Sequence, residues 1–150
     1  MQELNLPSYP FKVKRDADIL QIFDIIRKKW VVLQPEEWVR QHVVWYLTEE
    51  KGYPASLIAV EKSLLVNKLQ KRFDIVLHNN LGKPLIIVEC KAPEIKIGEE
   101  ALHQALRYNS IIQAPYILLT NGLDMYCGKI NFPDASFSYL KDIPFYKEIK

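Results

Sequence analysis

Asp74, Glu89 and Lys91 have the types and the spacing to gather a divalent cation. Glu89 and Lys91 fall near the end of the apolar run "IIVECKAP", Ile86 to Pro93, where burial makes an isolated charge cost several kcal/mol. They must therefore pair with each other or serve something that arrives from outside. Side chains alternate along a strand, so Ile87, Glu89 and Lys91 share one face while Ile86, Val88 and Cys90 point to the other. In the preceding run "RFDIVLH", Asp74 shares a face with Val76 and His78. A hairpin pivoting between Leu81 and Gly82 sets Asp74 directly opposite Glu89 on a common face. At about 4 Å two like charges repel by roughly 4 kcal/mol at an effective dielectric of 20. A magnesium-type ion, which takes hard oxygen ligands and keeps several waters, would relieve that repulsion. Lys91 neutralising both acids as a surface ion pair is the competing reading, and a one-residue slip in register would separate the acids onto opposite faces.

The elements that must position these groups can be read on either side of them. "LQPEEWVRQHVVWYLTEEKG" reads as a helix, with Pro35 in the first turn, Glu36 and Glu37 at its positive end, and Gly52 to stop it. Val39, Val43, Tyr46 and Leu47 form its buried stripe. Two short β-rich runs, "SLIAVE" and "SLLV", precede "RFDIVLH", the turn "NNLGKP" and "LIIVECKA". A second helix is expected over "GEEALHQALRYNSII", followed by the wholly apolar strand "YILLT", an Asn121-Gly122 turn and "LDMYC". A strand on each side of a helix implies a crossover onto a central mixed sheet covered by helices, an α/β fold. On the second helix Gln104 and Tyr108 lie one turn apart on the same face. Residues 1–15 read as an extended lead-in marked by Pro7 and Pro10. Phe132, Phe137, Tyr139 and Phe145 read as packing in a tail over 130–150.

The length suits one domain, 1–150, burying roughly two-thirds of its unfolded surface. With 49% hydrophobic and 25% charged residues, the composition excludes disordered and membrane chains. No apolar run approaches the roughly 20 residues of a membrane span, and the N-terminus lacks a signal-like core, so a cytoplasmic location is expected. Cys90 and Cys127 are too few and too scattered for a disulfide framework or a zinc site, and read as reduced core residues. A net charge of +2 neither demands nor forbids a polyanionic partner. The basic clusters at 12–15, 27–29 and 68–72 read as solvated surface. His78 and His103 have no metal-ligand spacing.

Taken in order, "RFDIVL", "LIIVECKAP", "HQALRYN" and "YILLTNG" resemble the N-terminal nuclease domain of type I restriction enzyme R (HsdR) subunits, a branch of the restriction-endonuclease-like PD-(D/E)XK superfamily. The resemblance runs from "PEEWVRQ" to "TNG". It implies an α/β/α fold and magnesium-dependent hydrolysis of DNA phosphodiesters, with manganese able to substitute. It implies that Asp74 and Glu89 ligate the metal together with the Cys90 backbone carbonyl and an acid of the first helix, Glu36 or Glu37. The register of Glu36 with Val39 and Val43 leans towards Glu36, although both acids also suit a helix N-terminus without any metal. Lys91 would position or activate water and steady transition-state charge, with Gln104 and Tyr108 buttressing the site or contacting DNA. Arg40, Arg72 and Arg107 are the candidate nucleic-acid contacts, Arg40 alternatively an ion-pair partner. The implied partners are DNA and other restriction-modification or defence components. The chain has no GxxxxGK[S/T] phosphate loop, so no ATP-driven motor is expected within it and it reads as a stand-alone nuclease. Phe73 stands where the superfamily pattern has proline before the first acid. A catalytically silent binding or assembly module of the same fold is the alternative.

Overall fold

The computed structural model describes residues 1–132 and 134–150. Its centre is a six-stranded sheet built from β4 (Ile58–Val66), β5 (Leu69–His78), β6 (Pro84–Cys90), β7 (Tyr116–Thr120), β8 (Met125–Asn131) and β9 (Ser136–Leu140), in that spatial order. Every pair is antiparallel except β6 and β7, which run parallel because α2 (Glu99–Ile112) carries the chain back between them. β7 is buried at all five positions, as its unbroken apolar sequence requires.

The sheet is covered on both faces. On one, α1 (Pro35–Trp45) packs Val39, Val43 and Val44 against Ile75, Leu77, Ile86, Val88 and Leu118. On the other, α2 sets Leu102 and Tyr108 against Phe73, Val76, Ile87, Ile117 and Leu119. The α/β/α core expected from the sequence is therefore present. Pro35 occupies the first turn of α1 with Glu36 and Glu37 beside it, and Gly98 caps α2. The first helix widens into a π-helical turn over Tyr46–Glu50, and Gly52, at φ 78°, ends it.

Three features depart from the sequence reading. A second, antiparallel sheet of β1 (Val13–Asp16), β2 (Ile19–Asp24) and β3 (Lys29–Val32) precedes α1. The runs "SLIAVE" and "SLLV" are not two strands: Ala55–Leu57 is a 3-10 turn, and the rest is the single strand β4, in which Glu61 takes φ 54°. The C-terminal aromatics divide. Phe132 and Phe137 pack beneath the sheet, whereas Tyr139 and Phe145 stand 65% and 44% exposed, on β9 and just before the short helix α3 (Tyr146–Ile149).

Ahead of β1 the chain straps across α1. Leu4 is buried, and Tyr9 and Phe11 pack on His42 and Trp45. Cys90 and Cys127 are free and buried. Among the described residues no helix is long and apolar enough to cross a membrane.

Candidate active site

β5 and β6 pair through Ile75 with Val88, Val76 with Ile87 and Leu77 with Ile86, the register inferred from a Leu81/Gly82 pivot. The turn itself is longer than a two-residue pivot. A shift between Leu77 and His78 absorbs the difference, and the Asn79 carboxamide accepts the amides of Leu81 and Lys83.

At Asp74 the alternation breaks. Phe73 and Val76 both pack on the α2 side, three residues apart, so the two residues between them, Asp74 and Ile75, turn to the α1 side. Across from this irregularity β4 carries Glu61 in its left-handed conformation, and the ladder skips the Glu61–Asp74 step. The Asp74 carboxylate consequently sits at the seam of β5 and β6. Its Oδ2 accepts the Cys90 amide at 2.8 Å, and its Oδ1 lies 3.3 Å from the Arg40 guanidinium. The common face expected for the two acids is thus replaced by an arrangement in which Glu89 opens into a cleft under α2 while Asp74 is engaged from α1.

The cleft is lined by Phe73, Glu89, Lys91, Gln104, Tyr108 and a residue that sequence reasoning assigned to the surface, Lys71. Lys71 Nζ lies 3.9 Å from Glu89 Oε1 and 5.3 Å from the Tyr108 ring centre. Its place on the cleft face follows from strand alternation with Phe73, which was the available signal. The oxygen Glu89 Oε1 is buried without a hydrogen-bond donor. Burial, and then the charge of Asp74, push the Glu89 carboxyl up to about 7, against the pull of Lys71, the Asp74 amide and Lys91. Lys91 follows the end of β6 as an exposed side chain, its amide held by the Thr120 carbonyl at 2.9 Å.

Arg40 is the hub on the α1 side. Its side chain is only 7% exposed and reaches Glu61 at 3.1 Å, Asp74 at 3.3 Å, Glu36 at 3.5 Å and Glu37 at 3.7 Å. Arg27, from the β2–β3 turn, joins Asp24, Glu37 and Glu61 to the same network. No local pattern marks Arg27 or Glu61, because their partners are distant in sequence; the basic run at 27–29 read as solvated. Of the two helix acids, Glu37 is committed to Arg27 and Gln41. Glu36 is half exposed, and burial followed by the Asp74 charge raises its carboxyl, with Arg40 and Lys91 opposing. Arg72 is exposed on β5. Arg107 lies on α2 with His103 and Ser110, outside the cleft. Cys90 turns its thiol into the core beneath α1, where burial pushes it well above the usual thiol range.

Among the described residues no three His, Cys, Asp or Glu side chains converge as a ready-made metal cluster. Magnesium, however, is commonly held by one or two carboxylates, with waters and substrate phosphate completing the shell. Glu89 Oε1, buried without a hydrogen bond beside a second acid, fits that requirement.

A family model described as the type I restriction enzyme R protein N terminus matches residues 35–144. Among solved structures, the chain is similar to a fragment assigned as an HsdR subunit of a type I restriction enzyme from Vibrio vulnificus YJ016. The two are 20% identical with a TM-score of 0.54, over 78% of this chain and 24% of that one. The chain thus spans about a quarter of that solved chain's length, and the likeness shows the fold. No curated protein matches.

Proposed function

Because the chain belongs to the type I restriction enzyme R protein N-terminal family, we propose that it is a nuclease domain that hydrolyses DNA phosphodiesters with a divalent metal. The single observation that carries this reading is Glu89: a buried carboxylate, one oxygen without a hydrogen bond and only a distant ion pair to Lys71, made costly by a neighbouring acid, at the mouth of a cleft that also holds Lys91. A fold gains nothing from such a group in isolation. Asp74 and Glu89 would hold magnesium or manganese, with Glu36 and the Cys90 carbonyl as further oxygens. A metal held there supplies an activated water and polarises a phosphoryl oxygen. Lys91, exposed at the cleft mouth, steadies negative charge on the phosphate, and Lys71 beneath it offsets Glu89. Gln104 and Tyr108 form the wall of the cleft on the helix side. The proposal treats 1–150 as one domain acting in the cytoplasm within a restriction-modification context.

The test is cleavage of plasmid DNA with magnesium or manganese by wild type, Asp74→Asn and Lys91→Ala. Loss of cleavage in both variants supports the reading; equal cleavage by all three removes it. One observation favours the alternative, a catalytically silent DNA-binding module. Arg40 already neutralises Asp74 without a metal. Salt-dependent DNA binding with no products under any metal would establish that alternative.

A further inference from the structure

The outer half of the β4–β5 hairpin, residues 62–72 ("KSLLVNKLQKR"), carries four Lys or Arg and no Asp or Glu. The whole chain is only +2, so everything outside this segment is net −2. The net excess of positive charge therefore falls on one arm. Lys62, Lys68 and Arg72 are exposed, and among the described residues none has a carboxylate within ion-pair distance.

The arm has one covered face and one free face. Its cross-strand pairs run Ser63 with Arg72, Leu64 with Lys71, Leu65 with Gln70 and Val66 with Leu69. Leu64 packs into the cluster beneath α2 and Lys71 lines the cleft, so that face is used, although Lys62, paired with Phe73 on its edge, remains exposed. The opposite face presents Ser63, Arg72, Leu65 and Gln70, all exposed, with Leu65 at 67%. Arg72 shares this face with Asp74, two residues on, so the free face leads to the Asp74 side of the site. At about 3.3 Å per residue the tip lies roughly 20 Å from Asp74, the length of about six base-pair steps.

The tip argues for the same use. The two-residue turn Asn67-Lys68 has φ of 50° and 70°. Such a turn favours Asn-Gly, and here a lysine takes the place that glycine fills most easily. The turn keeps a cation at the expense of backbone comfort. An exposed leucine, Leu69 at 73%, stands next to it.

We propose that residues 62–72 form a docking arm for duplex DNA, with Lys62, Lys68 and Arg72 gripping phosphates beside the site and the leucine-bearing tip entering a groove. The proposal rests on the nuclease-domain reading for its choice of polyanion. A two-stranded ribbon fits the major groove, and apolar side chains at a tip can wedge into a minor groove.

The test is binding of a fluorescent duplex of about 20 base pairs, in chelator so that nothing is cut, across a salt series. The triple variant Lys62→Gln, Lys68→Gln, Arg72→Gln should bind at least about tenfold more weakly than wild type. Its dependence of log affinity on log salt should be shallower by about 2 to 3, as the loss of three phosphate contacts requires. Lys68→Gly separates charge from folding. It should melt higher than wild type, having gained a favoured turn, and yet bind DNA less well. Unchanged affinity and salt dependence in the triple variant, or no duplex binding by wild type, overturns the arm. If wild type binds through the arm but never cleaves with any metal, the nuclease reading fails and the arm stands. If the triple variant cleaves as wild type does at low DNA concentration, the arm fails and the nuclease reading stands.

Discussion

Arg40 and Asp74 meet across the gap between the first helix and the central sheet, guanidinium to carboxylate at 3.3 Å. The same arginine gathers Glu36, Glu37 and Glu61, so one nearly buried cation offsets four acids. Removing one partner from a buried ionic cluster typically costs about 3–5 kcal/mol, because the others remain desolvated and uncompensated. Arg40→Met should therefore lose about that much stability to urea in chelator. Millimolar manganese should restore part of the loss, since a second cation can take over Asp74. A loss below about 1 kcal/mol would mean that water reaches these acids and the hub is superficial.

The network extends to Asp24, which is fully buried and accepts the amides of Ile26 and Arg27 and the Arg27 side chain. Burial alone would raise its carboxyl, but those donors bring it below the usual carboxylate value. A depressed folded value means that the charged form stabilises the fold above the unfolded pKa near 3.8, and that this contribution fades as pH falls through the lower folded value. Asp24→Asn should be less stable than wild type at neutral pH, by about 2–3 kcal/mol. The two stability curves should converge below roughly pH 4. Parallel curves down to pH 2 would contradict this.

Asn121 gives the "TNG" segment a physical meaning. Its carboxamide donates to the Ile95 carbonyl at 2.8 Å and accepts the amides of Leu123 and Asp124. It thereby ties the turn after β7 to the segment that follows Lys91. Asn121→Ala should cost about 2–3 kcal/mol through the orphaned groups. Amide exchange should accelerate over 91–98 before it does so in β7. Uniform acceleration throughout the sheet would mean that Asn121 acts only on global stability.

Gly128 tests how β9 is held. A Cβ there would overlap the Phe137 ring. Gly128→Ala should destabilise the protein by about 1–3 kcal/mol, and adding Phe137→Ala should recover part of that loss. Strict additivity of the two changes would show that the ring moves aside freely.

Much of the positioning framework was legible because it rests on local patterns. Pro35, Glu36 and Glu37 open a helix where they should, "YILLT" is buried throughout, and the i, i+4 pair Gln104 and Tyr108 does face the cleft. What could not be read depended on partners far along the chain. β1 is exposed at all four positions and charged at three of them, so it has no alternation to find. Glu61, Lys62 and Ser63 look like a break between two apolar runs, yet they lie within one strand, Glu61 being its irregular point. That irregularity turns Asp74 towards Arg40 and undoes the simple same-face argument, although the two acids remain close enough for Asp74 to raise Glu89.

Nuclease chemistry in this domain depends above all on whether Glu89 and Asp74 together bind a divalent ion. The most direct measurement is the melting temperature of the protein against manganese concentration, for wild type, Glu89→Gln and Asp74→Asn. Ion binding to the folded state alone raises stability with the logarithm of one plus the ratio of free ion to its dissociation constant. Wild type should rise by several degrees, and both variants should stay flat, with Glu89→Gln melting at least as high as wild type in chelator. No rise in wild type, or an equal rise in all three proteins, would contradict the account.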